Sequence, residues 1–167
     1  MIGAALASFA LLGAAPPLTV SEATALVQPA KGQSVSGKVT FRQVSGGVEV
    51  IADIEGLTPG KHGFHIHEKG DCSAPDFASA GGHFNPDGKK HGGPDSPERH
   101  IGDLGNLYAD AQGKAHYERV DSYLKLNGDN SIIGRSIVIH AKPDDYTTQP
   151  TGNSGDRIGC GLIQAVK

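Results

Sequence analysis

The sequence predicts an all-β fold. Its 167 residues include 24 glycines and 10 prolines, aromatic residues make up 5%, and tryptophan is absent. This composition favours short strands joined by many turns over a helical bundle. Apolar and polar residues alternate in several stretches, whereas no heptad or long stripe of helical period occurs. A chain of this length can bury the core of one domain of ordinary size.

Two stretches with a period of two residues predict an antiparallel hairpin. In residues 35–41 and 48–54, apolar side chains recur at every second position, which is typical of strands with one buried face. Ser45-Gly46-Gly47 supplies the turn between them. A turn at residues 56–60 leads into a strand that contains His65 and His67. Further strands are predicted at residues 106–109, 114–120, 136–141 and 161–166.

Two long segments match no regular element. Residues 68–105 and 143–159 are rich in Gly, Pro, Asp and Ser. Long loops inside a compact domain are usually functional. We therefore expect both loops to contribute to a site.

The N-terminal segment predicts export. Residues 4–15 are small and apolar and too short to span a membrane. We predict a signal peptide at residues 1–25 with a cleavage site at Ala23-Thr24-Ala25, and a mature domain at residues 26–167 with no membrane-spanning segment. No basic residue precedes Lys31, which leaves open an incomplete or lipid-anchored start. A buried strand is less favoured here because strand-forming residues are scarce. The expected location is the periplasm or the extracellular space.

The chain has two cysteines, Cys72 and Cys160. Export favours a disulfide between them, since such bonds persist in oxidising compartments. The bond would stabilise the fold by roughly 4 to 5 kcal/mol in the chain-entropy model. Two buried free thiols are the alternative.

Seven side chains of the sequence can bind metal ions. His65 and His67 are two positions apart on a predicted strand, so they point to one face while Phe64 and Ile66 enter the core. Six histidines with one carboxylate and no thiolate favour copper and zinc. Seven ligands are too many for one ion, which predicts two neighbouring ions with different tasks. The set consists of His65, His67, His83, His91, His100, Asp103 and His140.

Three segments resemble the signatures of copper/zinc superoxide dismutases: residues 63–68 (GFHIHE), 82–86 (GHFNP) and 152–161 (GNSGDRIGCG). The resemblance covers roughly residues 35–163. It is similar to the exported bacterial members in the short interval between His67 and the first cysteine. The resemblance implies an immunoglobulin-like Greek-key β-sandwich or barrel with two long functional loops, an architecture for which this family is a standard example.

The resemblance also implies the ligands of each metal. Copper would be held by His65, His67, His83 and His140, and zinc by His83, His91, His100 and Asp103. His83 would bridge the two ions and take up a proton during catalysis. Asp144 would link His65 to His91, and Arg157 would hold the incoming anion while the disulfide fixes its loop. From the residues alone, Asp144 would be a solvated turn residue and Arg157 a surface charge.

The reaction implied by the resemblance is dismutation of superoxide to oxygen and hydrogen peroxide, with copper as the redox ion and zinc in a structural and electrostatic role. The formal net charge of −3 repels an anion, so a local positive region around Arg157 is required. Lys69 and Lys142 are candidates for it. His62 resembles a family histidine that supports the barrel, and His116 is expected to be exposed.

Two other classes of protein use part of this residue set. A copper-delivery module would have lost part of the copper set or the arginine, and a structural zinc domain would leave His65, His67 and His140 unexplained. A hydrolase is weaker, because no nucleophile or acid/base carboxylate is paired with the sites. No nucleic-acid partner is expected. The sequence does not decide between a monomer and a homodimer.

Overall fold

The computed structural model describes residues 19–167, and this part of the chain is built of nine β-strands and one 3₁₀ turn. The bounds are β1 Glu22–Pro29, β2 Ser36–Val44, β3 Gly47–Glu55, β4 Gly60–His67, β5 Asp103–Ala109, β6 Ala115–Asp121, β7 Ser136–His140, β8 Arg157–Leu162 and β9 Gln164–Ala165, with the 3₁₀ turn at Ala78–Ala80. The predicted all-β class is confirmed. No helix among residues 19–167 is long and apolar enough to cross a membrane.

The strands form an antiparallel sheet in the order β5-β4-β7-β8-β1-β2-β3-β6, with β9 beside β1. β1 is the corner strand: residues 22–27 pair with β2, and residues 28–29 pair with β8. The outer strands β5 and β6 approach each other, so the sheet is nearly closed. The order is non-sequential, because β4 lies between β5 and β7, and this confirms the predicted Greek-key sandwich or barrel.

The alternating pattern read from the sequence is seen in β2 and β3. Val48, Val50, Ala52 and Ile54 of β3 are all buried, and the residues between them are not. The two strands pair from Ser36↔Glu55 to Val44↔Gly47, which leaves a two-residue turn. The predicted hairpin is therefore present with the predicted buried face.

β1 is a strand that the sequence did not predict. Its alternating buried residues are Ala23, Ala25 and Val27, and small side chains give only a weak strand signal. The predicted signal-peptide boundary after Ala25 falls inside this strand, while residues 1–18 of that peptide lie outside the described residues. The peptide itself stays a prediction.

The two long loops connect β4 to β5 and β7 to β8, and both cover the sheet near β4 and β7. The second loop is shorter than predicted because β8 already begins at Arg157, where backbone pairing with β7 overrides a glycine-rich sequence. Cys72 and Cys160 form the predicted disulfide, with Cα atoms 5.9 Å apart. The bond ties the first loop to β8.

Candidate metal centre

Four histidines converge on one point of the sheet. Their ligand atoms lie within 4.8 Å of one another, and all four side chains are buried. Two of them come from β4, one ends β7, and one is held beside β4 by an isolated backbone bridge. This four-histidine set consists of His65, His67, His83 and His140.

A second group surrounds the first residue of β5. The Oδ1 atom of Asp103 lies 2.8 Å from His83 Nδ1, 3.0 Å from His91 Nδ1 and 3.2 Å from His100 Nδ1. These ligand atoms also lie within 4.8 Å of one another and are buried. We call this group the Asp103 set: His83, His91, His100 and Asp103. All seven metal-capable residues are thus brought together in two groups.

His83 belongs to both groups. Its Nδ1 atom faces Asp103, and its Nε2 atom is buried without a hydrogen-bond partner among the described residues. The centre of its ring lies 5.1 Å from that of His67 and 5.5 Å from that of His100. One imidazole therefore presents a nitrogen to each set.

The remaining contacts of the four-histidine set show which nitrogen is free to bind a metal. His67 Nδ1 donates to the carbonyl of Gly81 over 2.9 Å, and His140 Nδ1 to that of Gly155 over 3.2 Å. The opposite Nε2 atoms of these two rings face each other at 3.4 Å. Hydrogen bonds of this kind fix the tautomer and the orientation of a metal-binding histidine.

Buried polar atoms without partners test whether metals fit. His65 Nδ1, His83 Nε2 and His91 Nδ1 are buried and make no hydrogen bond within residues 19–167. Such atoms destabilise a fold by about 1–3 kcal/mol each unless something binds them. Four imidazoles suit copper, and three imidazoles with one carboxylate suit zinc. The donor atoms therefore fit these two ions.

Asp144 joins the two sets from behind. Its Oδ2 atom lies 2.7 Å from His65 Nε2, its Oδ1 atom lies 2.9 Å from His91 Nε2, and the side chain is fully buried. A Cβ on Gly152 would collide with this carboxylate and with the His91 ring, so only glycine allows the close approach. The Asp144 carboxylate thus contacts one histidine of each set.

The two sets differ in electrostatics. Burial, together with neighbouring imidazoles, lowers the pKa of His65 and His67 well below the ordinary value, and that of His140 to about 4. These rings are neutral at pH 7, the form that binds metals. Burial opposes the charge of Asp103, but the close contacts of its carboxylate with the rings of His100, His83 and His91 outweigh burial and hold the Asp103 pKa well below its usual range.

Arg157 lies beside the four-histidine set. It pairs with His140 across β7 and β8. Its guanidinium donates to the carbonyl of Phe77 over 2.6 Å and to that of Gly81 over 2.7 Å. A cavity of about 260 Å³ opens beside it. The cation is thus held in one orientation at an opening to solvent.

The other residues named from the sequence occupy simpler places. His62 is buried and donates to the carbonyl of His140 over 2.8 Å, which supports the end of β7. His116 is exposed, as expected, and lies 2.7 Å from Asp53. Lys69 and Lys142 are both exposed, and the stem of Lys142 lies over Gly155.

Three polar residues that contact the site were missed by the sequence reasoning. Arg99 is buried and donates to the carbonyls of His100, Ile101 and Asp103. Asn106 and Gln149 hydrogen bond to the backbone of site residues. No sequence motif marks them, because a lone Arg, Asn or Gln is more often an exposed side chain.

A sequence profile described as copper/zinc superoxide dismutase (SODC) matches residues 35–163, more than half of the chain. The chain belongs to the copper/zinc superoxide dismutase family. Copper and zinc are the cofactors of this family, and dismutation of superoxide is its reaction. The two ligand sets are the parts of the fold able to hold these ions.

Similar proteins agree with this family assignment. The superoxide dismutase [Cu-Zn] of Paramecium bursaria Chlorella virus 1 is 51% identical over 140 residues, which cover 80% of this chain and 74% of that protein. The superoxide dismutase [Cu-Zn] of Onchocerca volvulus is 46% identical over 144 residues, which cover 80% of this chain and 90% of that protein. The extracellular superoxide dismutase [Cu-Zn] of Brugia pahangi is 44% identical over 139 residues, which cover 78% of this chain and 69% of that protein.

A solved structure has the same fold. The crystal structure of the clock protein EA4 superposes with a TM-score of 0.85 at 41% identity, covering 92% of this chain and 100% of that one.

Proposed function

We propose that this protein dismutates superoxide with copper in the four-histidine set and zinc in the Asp103 set. The observation that carries the proposal is His83, whose two ring nitrogens face the two sets. Bound copper supplies an alternating acceptor and donor of one electron. Both sets and Arg157 are complete, whereas a copper-delivery module or a structural zinc domain would need only part of them.

Arg157 binds the substrate anion in this proposal. Its guanidinium is oriented by two carbonyl groups and lies beside a cavity that Asp76 and Asp156 also line. A net charge of −3 disfavours a distant anion, so attraction must be local, and anion steering is well known for this family. The stem of Lys142 lies over Gly155, which also lines this cavity, so Lys142 is a candidate for a second positive charge there.

In this proposal His83 transfers a proton, and Asp144 orients the rings of two other histidines. His83 Nε2 would bind copper in this proposal, and because it has a single lone pair, it could take up a proton and pass it to an oxygen anion only while copper has released it. Asp144 holds the rings of His65 and His91 through their Nε2 atoms, so that each Nδ1 atom points into its set. Asp144 acts by position alone, whereas the His83 ring would also carry the proton.

Superoxide decay after pulse radiolysis tests the proposal. The metal-loaded protein should accelerate decay, and His65→Ala should lose at least about 100-fold of the rate while keeping zinc, as metal analysis would show. His116→Ala, a change of an exposed histidine, is the matched control and should leave rate and metals unchanged. A wild-type rate equal to spontaneous decay would refute the proposal.

We also propose that the mature protein is exported, to a periplasm as in bacterial members or to the extracellular space. Support comes from the disulfide, from the apolar residues 4–15 and from one similar protein that is named extracellular. A cut after Ala25 would remove four of the six residues of β1 that pair with β2. Cleavage before Glu22 therefore fits the fold better, and N-terminal sequencing of the mature protein would locate it.

We further propose a homodimer. Leu26 and Leu162 are 66% and 37% exposed beside one groove, and none of the nine described residues lining that groove is charged. Interface cores are depleted in charge, and a two-fold interface pairs a patch with itself. Analytical ultracentrifugation should find a dimer for the wild type and a monomer for Leu162→Lys. A monomeric wild type would refute the proposal.

A further inference from the structure

We propose that Gln149 is a positioning residue for zinc: its side-chain amide holds the backbone of His91 where the ring can reach both Asp103 and Asp144. The inference rests on the proposed assignment of zinc to the Asp103 set. It gives the loop between β7 and β8 a task beyond carrying Asp144. That loop closes over the zinc ligand and retains the ion.

The contact is a pair of hydrogen bonds. The Oε1 atom of Gln149 accepts from the His91 N–H over 2.8 Å, and its Nε2 atom donates to the His91 carbonyl over 2.9 Å. Both bonds are of good length. Because donor and acceptor of one residue are engaged together, the amide restrains rotation as well as displacement of the His91 backbone.

His91 needs this support because its ring serves two partners. Nδ1 lies 3.0 Å from Asp103 Oδ1, and Nε2 lies 2.9 Å from Asp144 Oδ1. A small rotation of the backbone would break one of these contacts. His91 lies in an irregular part of the loop, between Lys90 and Gly92, so no strand pairing fixes it.

The other ligands of the Asp103 set are held within their own neighbourhood. His83 forms a backbone bridge with His67, and Asp103 begins β5. The backbone N–H of His100 donates to Asp103 Oδ2 over 2.8 Å. The backbone of His91 is held by a side chain of the other long loop, and the N–H of the next residue, Gly92, donates to Asp103 Oδ2 over 3.1 Å.

The side-chain amide of Asn106 holds the backbone of Asp144, the hydrogen-bond partner of His91, through a similar pair of hydrogen bonds. Asn106 Oδ1 accepts from the Asp144 N–H over 2.7 Å, and Asn106 Nδ2 donates to the Asp144 carbonyl over 3.0 Å. The His91–Asp144 hydrogen bond is thus held at both ends by carboxamides. Asn106 is buried and its loss would disturb the core, whereas Gln149 is exposed and can be changed with little effect on packing.

Zinc release from the copper- and zinc-loaded protein tests the inference. Gln149→Met removes both hydrogen bonds at nearly constant length, and release into a colorimetric chelator should be about ten-fold faster, as for other residues that orient metal ligands. Gln149→Glu keeps the acceptor for the His91 N–H and should give a smaller increase. Copper content should stay unchanged. Gln112→Met is the control, because the hydrogen bond of Gln112 uses its backbone N–H.

Hydrogen exchange measured by mass spectrometry provides a second readout. The peptide that contains His91 should exchange faster in Gln149→Met, while peptides of β4 and β7 stay as in the wild type. Zinc release at the wild-type rate would overturn the inference, and so would equal acceleration of copper loss, which indicates general loosening. His91→Ala separates the two proposals: if it keeps zinc as tightly as the wild type, the assignment of zinc to this set is wrong.

Discussion

The two ligand sets share His83 but are built in different ways. In the four-histidine set, His65 and His67 are fixed by the register of β4 on β7, and His140 ends β7 opposite Arg157. In the Asp103 set, all three histidines lie in the loop between β4 and β5. A strand ladder fixes ligands through many backbone bonds, whereas a loop depends on single side chains. We therefore expect single changes to disturb zinc more than copper.

The largest effect should follow from removing the buried arginine of the zinc loop. Arg99 bonds both carboxylate oxygens of Asp121 at 2.8 and 2.7 Å, and its other amino group holds loop carbonyls. Arg99→Met leaves a buried carboxylate without its guanidinium, which should lower the free energy of unfolding by about 3–5 kcal/mol. Denaturant unfolding and metal analysis should show this loss, with zinc depleted before copper.

The double change Arg99→Met with Asp121→Leu is the control for that result. Since it removes both charges, it should recover part of the lost stability. Zinc retention should stay poor, because the loop carbonyls remain unheld. If zinc binding recovers with stability, the arginine does not act on the loop.

Loss of the disulfide should affect the surroundings of the four-histidine set more than those of the Asp103 set. The disulfide ties to β8 the loop that carries Phe77 and Gly81, the acceptors of Arg157. Replacing both cysteines by alanine should lower the free energy of unfolding by about 2–4 kcal/mol, chiefly because the unfolded chain is no longer constrained by the bond. Dismutation should slow while both metals remain, because the guanidinium loses its fixed orientation. Unchanged kinetics in a stably folded variant would contradict this role.

A smaller effect is expected at Gly152. It has a φ of +69°, and an added Cβ would collide with Asp144 and His91. Gly152→Ala should lower the free energy of unfolding by about 2–3 kcal/mol and weaken the binding of zinc. Gly128→Ala is a matched control, because its φ is +82° and nothing lies within 4 Å of its Cβ position, so only about 1–2 kcal/mol of backbone strain applies. Equal effects of the two changes would contradict the close contact.

The smallest effect concerns a histidine outside both sets. The Asp53 carboxylate hydrogen bonds to the exposed His116 and raises its pKa, in contrast to the lowered pKa of His65. This stabilisation is fully present below the unfolded-state pKa of about 6.5 and is lost as pH rises through the raised folded pKa. In Asp53→Asn, the NMR titration midpoint of His116 should fall, with no change in bound metal. An unchanged midpoint would show that the pair is not formed in solution.

The sequence predicted those parts of the molecule that follow from periodicity or from contiguous motifs. Alternation predicted β2 and β3, and a spacing of two placed His65 and His67 on one face. β1 was missed because Ala23 and Ala25 are small, and their burial depends on packing by strands distant in sequence. For the site, the candidate ligand residues came from the resemblance to a known family, while the contacts around them depend on the folded loops. The roles of Arg99 and Gln149 depend on which backbone groups the folded loops bring near them.

The most direct test concerns the ring of His83. The protein should be loaded with Cu(II) in the four-histidine set and with paramagnetic Co(II) in the Asp103 set, with both contents checked by metal analysis. If this imidazole joins the two ions, they should couple through it, and the Cu(II) electron paramagnetic resonance signal should largely disappear when cobalt is added. A copper signal of full intensity in the presence of stoichiometric cobalt would contradict the shared histidine and the centre built on it.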